Sequence, residues 1–185
     1  MQKKALFLVV GLIILAALSR LFPIAANFSP IAAIALMGGF FFKDLKKAVI
    51  IPLACLLLSD TLLHLKFLSG ASEWPGFYPE ISAIYMGFVL VVLIGRYLIK
   101  QARWVNIIGA SLAGSLAFFL LSNFGVWMSG LIYPMTGAGL VECFVAAIPF
   151  FRNSIAGDLV FTIALFGVYK FAINYYGLPR RSEIA

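Results

Sequence analysis

Charge is what this sequence has least of. Asp, Glu, Lys and Arg make up 11% of its 185 residues, against roughly 25% in an average soluble domain. Trp104 to Val141 runs 38 residues without a charged side chain, and Leu21 to Phe42 runs 22. A chain this short cannot hide so much apolar surface in water, because a small core leaves most of its surface exposed. In a bilayer the same runs become spanning segments. Histidine is nearly absent: His64 stands alone, which excludes a two-histidine metalloprotease motif and weakens any metal centre. The two cysteines, Cys55 and Cys143, both sit in apolar stretches, so a disulfide framework is not expected. No glycine-rich phosphate-cradling motif occurs. Trp127-Met128-Ser129-Gly130 lacks the first glycine of an intramembrane serine-protease nucleophile. Nothing positive points to an enzyme, and none is expected.

What remains is 63% hydrophobic with a net charge of +7. The excess of cations needs no nucleic acid to explain it if the basic residues collect on the cytoplasmic side of a membrane. The length fits one transmembrane domain, residues 1–185, with about six short-looped spans. Lys3 and Lys4 before Ala5–Leu18 resemble a secretory signal, but Pro23 and Ile24 spoil the region where a cleavage site would lie, so a retained first helix is expected.

The expected fold is all-α: a polytopic integral membrane protein with six transmembrane helices. The spans are placed at about Ala5–Phe22, Ile31–Phe42, Ala48–Leu65, Ile81–Leu98, Val105–Phe124 and Ser154–Tyr175. Gly125–Arg152, apolar but interrupted by glycine and proline, is expected as a re-entrant or interfacial segment before the last helix. With both termini in the cytoplasm of a bacterium, 11 of the 14 basic residues fall inside, and Arg20, Lys66 and Arg152 fall outside. That asymmetry is the one the positive-inside rule requires of a protein in the cytoplasmic (inner) membrane.

Polar groups at membrane depth are costly, so each marks a candidate site. Asn27, Asp60, His64, Asn123, Glu142, Arg152, Asn153 and Asp158 all map to the outer half. The simplest arrangement that satisfies them is a polar cavity open outward and closed below by apolar helices. Asp60 is expected either to form an ion pair with Arg20, Lys66 or Arg152, or to bind ligand or a proton. His64, four residues on, shares its helix face, offering a hydrogen-bonded pair or a small coordinating site. Asp158 is expected to neutralise Arg152, or to leave that guanidinium free for an anionic substrate group. Trp74, Phe77, Tyr78, Trp127 and Tyr133 occupy the outer loops, as interfacial anchors or as a lid stacking on a flat ligand. Gly109, Ala113 and Ala117 form a small-residue stripe where another backbone can approach.

Asn27–Leu36, Pro52–Asp60, Ser122–Trp127, Ala147–Ser154 and Gly157–Leu159 resemble an uncharacterised bacterial family of transport proteins related to the S-components of energy-coupling factor (ECF) transporters. The resemblance implies a six-helix bundle that binds a vitamin or metal near its outer face, under loops that close over it. It extends the candidate substrate-binding set to Phe28 beside Asn27. Most S-components dock on a coupling protein with two ATPases through small residues of the first helix. No small-x-x-x-small pair occurs between Ala5 and Phe22 here, which favours solitary operation. One solitary type of this size carries cobalamin and ligates its cobalt with a membrane cysteine. That implies Cys55 as the metal ligand and a corrinoid as the first substrate, with no intrinsic cofactor. The alternatives are an ion-coupled secondary carrier titrating at Asp60, Glu142 or Asp158, and a structural subunit of a larger complex using the Gly109–Ala117 stripe. The expected partners are the lipid bilayer and a small-molecule substrate.

Overall fold

The computed structural model describes residues 2–22, 25–73 and 75–177. Pro23, Ile24, Trp74 and the tail bearing Arg180 and Arg181 lie outside them. Among the described residues six helices follow one another: α1 (Gln2–Ser19), α2 (Ile31–Phe41), α3 (Leu45–Leu68), α4 (Ile81–Leu98), α5 (Trp104–Ser129) and α6 (Gly137–Tyr176). Each runs antiparallel to its predecessor. The end carrying the α1–α2, α3–α4 and α5–α6 connections is called upper below, and the opposite end lower.

The apolar runs become helices because a bilayer gives an unpaired N–H or C=O no water to turn to, and a helix satisfies both within one segment. Four helices, α3 to α6, are long and apolar enough to cross a membrane, whereas α2 has only 11 residues. Large apolar side chains point away from the bundle on every long helix, including Leu15, Ile50, Leu90, Val105, Leu116, Val160 and Phe171. Distributed so widely, they make a lipid-facing surface rather than a docking patch.

The core is built around α2. Every residue from Ala32 to Phe41 is buried, and α1, α3, α4, α5 and α6 all pack against it. Small residues permit this crowding. A methyl group added at Gly39 would overlap the Val92 carbonyl of α4, and one at Gly95 would overlap the Leu36 carbonyl of α2. Gly38 lies against the Pro52 ring and the Ala48 carbonyl, the group that Pro52 leaves without its helical donor. Below, Phe40 meets Phe166 and Tyr169 with ring centroids 5.3 and 5.5 Å apart.

At 1.5 Å per residue α2 is about 16 Å long, roughly half of the ~30 Å hydrocarbon layer. Non-helical chain continues it upward. Residues 25–30 lie along α6, where Gly157 abuts Phe28 and Ser29, Phe28 meets Phe161 at 5.6 Å, and Asn153 Nδ2 donates to the Ala26 carbonyl at 3.1 Å.

The expected break over Gly125–Arg152 is much shorter in the structure. α5 continues to Ser129, Gly130 closes it in the left-handed conformation, and Thr136 caps α6 by accepting from Gly139 N at 3.1 Å. α6 then passes through Pro149 without interruption. Its upper part lies against α5: Phe119 stacks on Phe151 at 4.3 Å, and Cys143 Sγ donates to the Asn123 carbonyl at 3.4 Å. Proline removes one donor, which neighbours in a bundle compensate, so glycine and proline content alone overstated the interruption.

Candidate functional site

Asp60 is about two turns below the upper end of α3 and 4% exposed. Its Oδ1 accepts from Arg20 Nη1 at 2.6 Å, and its Oδ2 from the Tyr85 hydroxyl at 2.9 Å. The same guanidinium nitrogen reaches Ser59 Oγ at 2.5 Å. Of the three cations the sequence offered, the turn after α1 supplies the nearest. Lys66 instead donates to the Leu21 carbonyl at 2.8 Å, so the tops of α1 and α3 are joined twice.

His64 does not pair with Asp60. Its ring stacks near Phe67 and Phe77, centroids 6.1 and 5.3 Å away, and Nδ1 is buried without a partner. The shared helix face does not produce the expected contact, because the Asp60 carboxylate turns to Arg20 and Tyr85 while the His64 ring turns to the phenylalanines. Above them the α3–α4 loop folds back, and Gly76 rests on the backbone of Asp60 and His64. Tyr78 is at the rim of this loop, its hydroxyl pKa raised by partial burial and the nearby Glu80.

A second polar cluster lies between α5 and α6. Asp158 Oδ2 is 2.6 Å from Ser115 Oγ, which is also 2.9 Å from the Ser111 carbonyl oxygen. Ser111 Oγ and Thr162 Oγ1 are 3.4 Å apart one turn lower. Asp158 does not neutralise Arg152, which is exposed. Six residues turn a helix by about 600°, leaving the two side chains ~120° apart, whereas pairing needs a spacing of three or four. Glu142 is likewise exposed.

The remaining candidates gather in two places. Asn27, exposed with a φ of 59°, and Phe28 belong to the segment against α6, beside Asn153. Asn123 and Tyr133 line a small recess of about 140 Å³ together with Cys143 and Phe150. Trp127 donates from Nε1 to the carbonyls of Pro134 and Thr136 at 3.1 and 3.2 Å, fastening the α5–α6 turn. A larger recess of about 350 Å³ opens between the tops of α4 and α5, lined by Glu80, Ser82, Met86, Phe124 and Ser129 among others. The sequence-derived residues therefore surround the upper half of the bundle without meeting in one chamber. Cys55 is half-buried against the core and lines neither recess. Among the described residues no three His, Cys, Asp or Glu side chains approach closely enough to hold a metal. Trp74 lies outside the described residues.

A protein-family profile described as a family of unknown function (DUF6580) matches residues 1–180. The chain belongs to that family. No curated protein and no solved structure matches it.

Several participants are not evident from the sequence. Ser59, Tyr85, Ser111, Ser115 and Thr162 stand singly among apolar neighbours, where a hydroxyl is easily read as bonded to its own helix. Helical spacing was the available signal: Ser111 and Ser115 are four apart on α5, as Asp158 and Thr162 are on α6. The small-residue stripe is not a closely packed face: Gly109 has open space beside it, and Ala113 and Ala117 are half-buried. Gly114, outside the stripe, is the residue that faces inward against Val91 and Leu36.

Proposed function

We propose that this chain is a membrane-embedded binding and uptake protein for a small, vitamin-like solute, entering from the upper end. Six crossings of the bacterial cytoplasmic membrane, with both termini inside, put Lys43, Lys46, Lys47, Arg96, Lys100 and Arg103 in the cytoplasm, as the positive-inside rule asks. The observation that carries the reading is the unequal build of the two halves. Below, α2 is sealed by the Phe40, Phe166 and Tyr169 rings. Above, non-helical residues 25–30 replace it at the depth of Gly157. Irregular backbone at membrane depth is tolerated where protein covers it or where it lines a cavity, and transporters bind solutes at such interrupted helices. Neither catalysis nor nucleic acid enters this reading.

The S-component likeness makes a corrinoid the first named ligand, with Cys55 as cobalt ligand and the chain working alone or with an ECF coupling module. The recesses of about 140 and 350 Å³ are smaller than such a macrocycle needs, so loading would require the upper helices to part. Native mass spectrometry of gently extracted protein should find a co-purified small molecule. If none is retained and none binds from a vitamin panel, the uptake reading fails. Cys55→Ala should change the cobalt absorption spectrum of a bound corrinoid, and an unchanged spectrum removes that ligand.

A second reading, an ion-coupled secondary carrier, is favoured by Asp158, a buried carboxyl with a serine for partner and, among the described residues, no cation. It expects gradient-driven uptake in proteoliposomes without other proteins. Uptake indifferent to both pH and sodium would exclude it.

A further inference from the structure

Among the described residues, the surroundings of Asp158 hold no compensating charge. α2 and α5 carry no charged residue, and α1 has none from Ala5 to Ser19. Residues 25–30 have none either. On α6 itself, Arg152 is exposed and Lys170 is three turns lower over the Trp104 ring, 4.5 Å from its centroid. Arg20 is engaged by Asp60 and Ser59, and the Tyr85 hydroxyl by Asp60.

Counting hydrogens limits the arrangement further. Ser115 owns one hydroxyl hydrogen, and an ionised carboxylate and a carbonyl oxygen can only accept. Yet Ser115 Oγ is 2.9 Å from the Ser111 carbonyl oxygen and 2.6 Å from Asp158 Oδ2. Both contacts are full hydrogen bonds only if the second hydrogen comes from Asp158.

We propose that Asp158 is a proton-binding site at the centre of the bundle, occupied in this structure. Its carboxyl donates from Oδ2 to Ser115 Oγ, and Ser115 donates to the Ser111 carbonyl oxygen. Release breaks the Oδ2–H bond and passes the proton to a water molecule, leaving a carboxylate toward which Ser115 turns its hydrogen. The water enters from above, past residues 25–30. Those residues cover Gly157 next to Asp158 and bury Ser29 Oγ without a partner, a hydroxyl that an admitted water would satisfy. From below, the Phe40, Phe166 and Tyr169 rings close the way.

The site deepens the carrier reading, in which its proton would be the coupling ion, but occupancy can be measured without transport. Infrared spectra of the full chain in lipid nanodiscs, carrying carboxyl-labelled aspartate, should show a protonated-carboxyl C=O band at neutral pH. The band should be lost at alkaline pH, absent from Asp158→Asn and retained in Asp60→Asn. Asparagine can donate to Ser115 as the acid does, so that variant should fold. Ser115→Ala should shift the band, because the acid loses its acceptor. No band assignable to Asp158, a band unmoved in Ser115→Ala, or one removed by sodium at constant pH would each overturn the proposal. A band present without any proton-driven uptake defeats the carrier reading and leaves the site standing. Proton-driven uptake without the band does the reverse.

Discussion

A buried ion pair is held by both of its members or it becomes a liability. The side chains of Arg20 and Asp60 are 14% and 5% exposed, so removing either strands a charge in a poorly solvated place. Breaking such a pair costs about 3–5 kcal/mol. Arg20→Ala and Asp60→Ala should each lower the unfolding temperature strongly in detergent, and the double variant should lose less than the sum. Strict additivity would show that the pair contributes nothing. Asp158 should behave differently: with no cation to strand, Asp158→Asn should leave thermal stability near that of the parent.

At the scale of helices, glycine decides how closely α2 and α4 approach. Gly39→Ala or Gly95→Ala would drive a methyl group into facing backbone, and overpacking of this kind costs about 1–3 kcal/mol. Gly109, with open space beside it, is the control. Alanine there should be neutral or stabilising by up to ~1 kcal/mol, from helix propensity alone. Thermal unfolding of the three variants tests the packing directly. The start of α3 allows a pH test. Asp44 accepts from Lys47 N at 3.0 Å, and that bond holds its carboxyl below the ordinary value of 3.8. The cap's contribution should be fully present above that value and fade as pH falls through the lowered one. Asp44→Asn, which caps without titrating, should flatten the acid limb of the stability profile. An unchanged limb would show that other groups set it.

For the whole molecule, the distribution of cations makes sidedness measurable. Cysteines placed at Lys47 or Lys100, in a background lacking Cys55 and Cys143, should react with an impermeant thiol reagent only from the cytoplasmic side. A cysteine at Ser69 or Gly70 should react only from outside. Labelling of Lys47 and Ser69 positions from the same side would dissolve the six-crossing topology, and with it the entry of solute past residues 25–30.

Although α6 begins at Gly137, well before the expected Ser154, membrane character and the approximate positions of the other five helices were legible from residue order, because a bilayer admits few conformations for long uncharged runs. The partners were not. Which cation meets Asp60, why His64 is left beside phenylalanines, and that Asp158 turns to Ser115 rather than Arg152 depend on helix rotation and on contacts between residues about 40 apart. Only the packed bundle sets those. The same holds for α2: its 11 residues read as a short span, yet neighbours on five sides make it the centre of the fold. Composition chose the solvent, and close backbone approach through Gly39 and Gly95 chose the architecture.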